Sequence, residues 1–264
     1  MKSQAVSYIG VVMSFVQFLV KEFQKLGGGD EDIRYLVTPE GEDLLKEFAK
    51  TVREKRSGGM LAIKRQLEEW TLFYRKHFGI ELGEVQVPNH QPGFDRLIIV
   101  SKELCRPVKL NGNEEERVQP MNWVFTVCER LFTSWKYADD LDADVTENDR
   151  HPKDGTYAVW VRDRVEADEE NKSQSANQRR EQKRTDQTLL ERMLHEIKYF
   201  EETGKHLDLE NMTLCAGSRH QDGYVPDCFW GSAYRRFRVD WYYSGDRFGI
   251  LRSRSVVSCQ PVAQ

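Results

Sequence analysis

The sequence predicts an α+β chain: a helical N-terminal region, then a mixed C-terminal domain ending in short antiparallel strands. Three observations predict it. Apolar residues recur at helical spacing through the first eighty residues, and the period shortens to two after Phe94. The last 54 residues join strand-like alternation to an unusual side-chain composition. At 264 residues the chain is long enough for one large or two modest domains with real cores. The reading divides it into a helical region at 1–80, a connecting α/β segment at 81–120 and a C-terminal domain at 121–264.

The first helix carries Tyr8, Val11, Val12, Phe15, Phe18, Leu19, Phe23 and Leu26 on one stripe. Its apolar run, Tyr8 to Val20, is too short to span a bilayer and contains Gln17. No small-residue cleavage site follows it, so a packed amphipathic helix is preferred to an export or membrane-surface segment. With no signal recognised, the compartment stays open and is cytoplasmic by default. Gly27-Gly28-Gly29 stops this helix. Thr38-Pro39-Glu40 starts a second, as cap, first helical residue and first-turn acid, with Leu44, Leu45, Phe48, Ala49 and Val52 as its apolar face. Ser57-Gly58-Gly59 breaks it, and a third helix with Leu61, Leu67, Trp70, Phe73, Tyr74 and Phe78 runs to Gly79.

Phe94 to Val100 reads as a strand, and Asn111-Gly112-Asn113 as a turn. Trp123 to Trp135 fits a strand or a short helix equally. Tyr157 to Arg162 reads as a strand. Asp168 to Gln187 mixes charges and offers almost nothing to bury, so it is expected to be a solvated loop or helix start. Thr188 to Thr203 is a helix closed by Gly204, with Leu189, Leu190, Met193, Leu194, Ile197 and Phe200 on one side. Thr213 to Cys215, Val225 and Phe237 to Tyr243 alternate like strands, and Ile250 to Val257 reads as a single last strand.

Several kinds of site are set aside. The acidic cluster Asp139, Asp140, Asp142, Asp144, Glu147 and Asp149 fails the calcium-loop pattern: Val145 stands where glycine is needed and His151 where the bidentate Glu belongs. A solvated acidic loop is expected instead. Five cysteines form no CxxC pair, which argues for free thiols; a Cys215–Cys228 or Cys228–Cys259 bridge stays open. Six scattered histidines join no recognisable triad, and there is no phosphate loop or dinucleotide fingerprint. The expectation is a protein that is not an enzyme, with no cofactor and no metal.

The tail carries the strongest signal. Residues 1–210 hold 16 Lys and 25 Glu, whereas residues 211–264 hold neither. The tail is still charged, with seven Arg and four Asp. A β-rich aromatic core explains part of this, because strands disfavour Lys and Glu. Binding surfaces explain more, since they favour aromatics and Arg and deplete Lys. A third explanation is genetic. Randomising the adenines of asparagine codons that end in a pyrimidine never yields Lys, Glu, Gln, Met or Trp. The tail matches that menu if Trp230, Trp241 and Gln221 are fixed framework.

The blocks VCERLFTSWKYADDLDADVTENDRHPKDGTYAVWVRDRVEADEE, TLLERMLHEIKYFEETGKHLDLENMTLCAGSRHQDGYVPD and LRSRSVVS resemble a family of uncharacterised proteins from small-genome uncultured bacteria. In that family such blocks flank a C-terminal segment that differs from copy to copy. FDRLIIV resembles the same family more loosely. These proteins resemble the variable proteins of diversity-generating retroelements, whose hypervariable region sits on a C-type-lectin-like fold of the formylglycine-generating-enzyme type. The resemblance implies such a fold here, with a variable segment at about 219–250. It implies neither sugar binding, because the tail lacks an EPN- or QPD-type motif, nor catalysis, because Cys215 and Cys228 match no pattern of those enzymes.

The resulting expectation is a ligand-binding protein for a macromolecular target, protein above all, mounted or oligomerised by its N-terminal helices. The expected contacts are Tyr224, Asp227, Phe229, Tyr234, Arg236, Arg238, Asp240, Tyr242, Tyr243, Asp246, Arg247 and Phe248. Val225, Trp230, Val239, Trp241, Leu251 and Val256 are expected to hold the scaffold. Phe237 and Tyr243, on the Trp241 face, are the aromatics most exposed to being core instead. The runner-up is a single-strand nucleic-acid binder using Arg235, Arg236, Arg238 and Arg247 with the nearby rings. Four aspartates in the tail and an acidic remainder count against it.

Overall fold

The computed structural model describes residues 16–36, 38–57, 60–110 and 115–259. The stripe residues Tyr8, Val11, Val12 and Phe15, the break at Gly58-Gly59 and the turn at Asn111-Gly112-Asn113 lie outside them, as do the side chains of Ala49, Val52 and Leu61. Internal contacts divide the chain into two bodies, Met1–Arg56 and Ser57–Gln264.

The first body is helical. Residues 16–25 form α1, Asp30–Tyr35 α2 and Pro39–Ser57 α3. Thr38 starts α3 as expected: its hydroxyl accepts from the Gly41 N–H at 3.2 Å, and Pro39 opens the first turn. Leu44, Leu45 and Phe48 stay exposed.

The second body mixes helices and strands. Helix α4, Met60–Phe78, belongs to it and buries Trp70, Phe73, Tyr74 and Phe78. Two of these rings also tie α4 to strand β1, Arg96–Val100. The Trp70 indole donates to the Leu97 carbonyl and the Tyr74 hydroxyl to the Ile99 carbonyl, both at 2.8 Å. The ambiguous Trp123–Trp135 stretch resolves into both forms, helix α5 (Pro120–Leu131) and then strand β2 (Ser134–Lys136). Helix α6 is Leu141–Asp144, β3 Glu147–Asn148, β4 Tyr157–Val161 and α7 Ala176–Glu181. Helix α8, Leu189–Thr203, has the Thr188–Glu191 capping box, and Gly204 takes the left-handed C-cap at φ 66°. Strands β5 (Met212–Leu214), β6 (Ser218–Arg219), β7 (Val225–Gly231), β8 (Arg236–Tyr242), β9 (Leu251–Arg252) and β10 (Val257–Ser258) follow.

These strands make a three-stranded sheet in the order β1-β4-β10, a five-stranded sheet β2-β8-β7-β5-β9 and a small pair β3-β6. The expected last strand is therefore two strands in two sheets: β9 runs parallel to β5, and β10 antiparallel to β4. The break has a cause. Arg254, between them, is buried and donates to Asp208 at 2.6 Å and to the backbone carbonyls of Arg164 and Val165.

Helix α8 packs against α5, β1 and β7, and is buried on its polar side as well. Its charged residues form a paired network rather than a solvated face. Arg192 bonds Glu196 and Asp208, both at 2.8 Å, while Asp208 also takes Arg254 and the Thr213 hydroxyl. Glu191 holds Arg150 at 2.7 Å. Buried charges survive only when so partnered.

The 168–187 stretch corrects its expectation. Asp168, Asn171, Ser175, Arg179, Asp186 and Gln187 are buried. Polar partners hold most of them, some within the stretch and some outside it, as Arg162 and Ser255 hold Asp168. Arg179 forks onto Asp186 at 2.5 and 2.9 Å and reaches Asn171 at 2.7 Å, and Asn171 donates to the Ser253 carbonyl at 2.8 Å. The acidic cluster is likewise more built than expected. Asp140 caps α6, and Asp142 accepts from the backbone N–H groups of Met121 and Asn122 at 3.0 and 2.8 Å. Burial pushes the Asp142 carboxyl up to about 6.

All five cysteines are free thiols, with Cys215, just past β5, buried beside Cys228 of β7. No described helix is long and apolar enough to cross a membrane.

Candidate binding surface

Register builds the site. Strands β7 and β8 are antiparallel, so opposed residues share a face. Cys228, Trp230, Phe237 and Val239 share the face that packs on α8 and Phe132, where Phe237 and Val239 are wholly buried. Trp230 is half-buried and stacked on His206 at 3.4 Å. Asp227, Phe229, Arg236, Arg238, Asp240 and Tyr242 take the opposite face. Parallel pairing of β2 adds Trp135 beside Arg238.

On that outer face guanidinium groups lie over rings. Arg238 sits 4.4 Å from the Trp135 ring centroid, 5.6 Å from Phe229 and 5.7 Å from Tyr234. Arg236 sits 5.4 Å from Trp135 and 5.1 Å from Tyr234. Such stacking holds a long flexible side chain in place while leaving its charge usable. Arg238 also pairs with Asp240 at 2.6 Å. The four-residue turn that carries Tyr234 places Arg235 at φ 49°, a left-handed conformation that a non-glycine residue adopts at a cost of roughly 1 kcal/mol. Tyr234 projects from that turn and is 64% exposed.

A second group of rings gathers at the far end of the sheet. Tyr224 lies 4.5 Å from Trp241 and 4.7 Å from Tyr243, centroid to centroid, with Trp241 and Tyr243 5.8 Å apart. Phe237 and Tyr243 thus part company: Phe237 is core, and Tyr243 is exposed because the strand runs past the helix that covers Phe237. Trp241, expected to hold the scaffold, is 36% exposed for the same reason. Tyr242 points to the other face and meets Phe248 at 5.8 Å. Asp246 accepts from the Tyr243 N–H at 3.3 Å and shapes the 243–250 loop, while the Arg247 guanidinium donates to the Ser173 carbonyl at 3.3 Å.

Asp227, expected among the contacts, is the correction. It has no exposed surface and no hydrogen-bond partner on either carboxylate oxygen. It lies directly opposite Asp240 and between Val225 and Phe229 on its face of β7, so its neighbours cover it. Burial, reinforced by the Asp240 charge, pushes its carboxyl well above the usual carboxylate range. It is an acid buried beneath the surface rather than a contact on it.

Of the remaining expected residues, Phe229, Tyr234, Arg236, Arg238 and Asp240 form one cluster and Tyr224 and Tyr243 the other. Tyr242 and Phe248 make a pair, and Asp246 and Arg247 serve their own loop. Sequence reasoning missed Trp135, which lies a hundred residues upstream of its partners. Its one signal was an aromatic in a short stretch of undecided period. No group of three His, Cys, Asp or Glu among the described residues is placed to hold a metal ion. No family model, curated protein or solved structure matches the chain.

Proposed function

We propose that this is a non-enzymatic binding protein whose C-terminal segment presents a contact surface to a protein target. One observation carries the reading. Exposed aromatics and ring-stacked arginines crowd the outer face and the end of a sheet whose inner face is anchored on α8. Rigid aromatics supply contact area at low entropic cost, and stacked arginines supply directional polar contacts. A fixed sheet beneath them keeps the surface preorganised.

The reading extends to how the surface is written. A segment at 219–250 that is diversified on a C-type-lectin-like scaffold accounts for the missing Lys and Glu and for where the rings fall. In that scheme Val225, Val239 and Leu251, which are wholly buried, stay constant, while half-buried and exposed positions such as Tyr224, Tyr234 and Arg236 vary. Sequencing the 3′ end of the gene across a source population, beside any template copy, tests this. Substitutions should concentrate at the exposed positions, where the template has adenine. Invariance equal to that of α8 would refute diversification.

Single-strand nucleic acid fits less well. Guanidinium groups already occupy the Trp135 ring, and Asp222, Asp240 and Asp246 stand in the same segment.

A further inference from the structure

We infer that Arg236 is the seat for a carboxylate of the target, so that this surface recognises an acidic, aromatic- or aliphatic-rich protein segment. The inference rests on the reading of the surface as a binding face.

Arg236 and Arg238 lie two residues apart on one face of β8, over the same Trp135 and Tyr234 rings. Two guanidinium groups therefore share one aromatic platform, and a single carboxylate answers them. Asp240 pairs with Arg238 at 2.6 Å, and no described carboxylate reaches Arg236. Elsewhere in this body carboxylate pairing is common: Arg96, Arg150, Arg162, Arg179, Arg192 and Arg254 all have an acidic partner. Arg236 is half-buried, yet its described contacts are rings alone. Its Nε is shut off from water and makes no hydrogen bond, as is the Nε of Arg238.

With its Nε covered, Arg236 offers a forked acceptor its two terminal nitrogens. Trp135 and Tyr234 already restrict the Arg236 side chain, so docking a carboxylate costs less ordering than at a free surface arginine. A carboxylate offers two oxygens in the geometry that guanidinium prefers. It would also neutralise the excess positive charge on the platform.

The surroundings select a protein carboxylate over a phosphate chain. A nucleic-acid strand is held by several phosphate contacts at once. Here Arg238 is spent on Asp240, Arg247 donates to the Ser173 carbonyl, and Asp222, Asp240 and Asp246 would repel a polyanion. The exposed ring of Tyr234, beside Arg236, calls instead for an apolar neighbour next to the acid.

The experiment is panning of a random twelve-residue peptide phage library on the full chain, followed by titration of the enriched peptides against variants. Enriched peptides should carry Asp or Glu next to aromatic or aliphatic residues. They should bind Arg236→Ala at least tenfold more weakly, and Arg236→Lys, which keeps the charge and loses the fork, severalfold more weakly. Unchanged far-UV circular dichroism and an unchanged urea midpoint would show that both variants keep their fold. Glutamine in place of each acid should match the loss on Arg236→Ala. Enriched peptides without acids, or binding to Arg236→Ala within twofold of wild type, would overturn the inference. If those peptides still lose affinity on Trp241→Ala or Tyr234→Ala, the binding-surface reading survives alone. No enrichment over background would sink both. A thymidine dodecamer that binds more tightly than any peptide, with steep salt dependence, would replace both with nucleic-acid recognition.

Discussion

Asp227→Asn should stabilise the protein, increasingly so as pH rises from about 4. Asp227 is wholly buried, opposite Asp240, with both oxygens unbonded. Burial first, and the Asp240 charge second, raise its pKa well above the ordinary value, while Arg238 pulls it down by less. An unfolded Asp titrates at about 3.9. Above that pH the folded chain keeps a proton that the unfolded chain releases. The group's contribution to stability is therefore whole below about pH 4. It is lost at about 1.4 kcal/mol per pH unit as pH rises towards the folded pKa. Asparagine has nearly the same shape, leaves the same polar end unbonded and does not titrate. The stability difference, variant minus wild type, should climb with that slope, and every other titrating group cancels between the two proteins. Urea unfolding at a series of pH values between 4 and 8, followed by tryptophan fluorescence, measures it. All six tryptophans lie in the second body, so the signal reports on that body alone. A flat difference across the series would show that Asp227 ionises as freely in the folded state as in the unfolded one, and the account of it as a buried neutral acid would fail.

Three further outcomes follow from the packing. Asp208→Asn leaves Arg192 and Arg254 buried without their shared counter-charge, and should cost about 3–5 kcal/mol in the same unfolding assay; a loss below about 1 kcal/mol would mean that water reaches the network. Gly217→Ala places a methyl 2.6 Å from the Asp186 carbonyl oxygen, backbone against backbone, and should destabilise by about 1–3 kcal/mol; an unchanged midpoint would contradict that close approach. A thiol reagent at pH 8 should modify exposed Cys259 at once and Cys105 slowly, since burial pushes the Cys105 thiol to about 11. Cys128, Cys215 and Cys228 should react only on unfolding, and rapid labelling of any of them in the folded protein would contradict their burial.

The helices were the most legible part of the chain. Thr188, Glu191 and Gly204 mark the ends of α8 by local chemistry that needs no tertiary partner, and Thr38-Pro39 does the same for α3. Alternation likewise located β8 and even sorted its two faces, because the side-chain period of a strand is a property of its backbone. Three features were not legible. Asp168 to Gln187 looked solvated because composition counts charges without showing that they face one another. Ile250 to Val257 looked like one strand because nothing local shows Arg254 turning inward to meet Asp208. Asp227 looked like a surface contact because it stands among the tail's rings and arginines, and only strand register shows that its neighbours cover it.

The sequence by itself determined the α+β order, the ends of the main helices and the concentration of rings and arginines in a tail free of Lys and Glu. These depend on residues close together in the chain. Only the tertiary structure decided that Trp135 underlies Arg236 and Arg238, that Arg236 is left without an acid, and that Asp227 lies beneath the surface. Those results depend on strand register and on pairing across a hundred residues, and electrostatic balance is settled by which charges meet in space rather than by how many the chain contains.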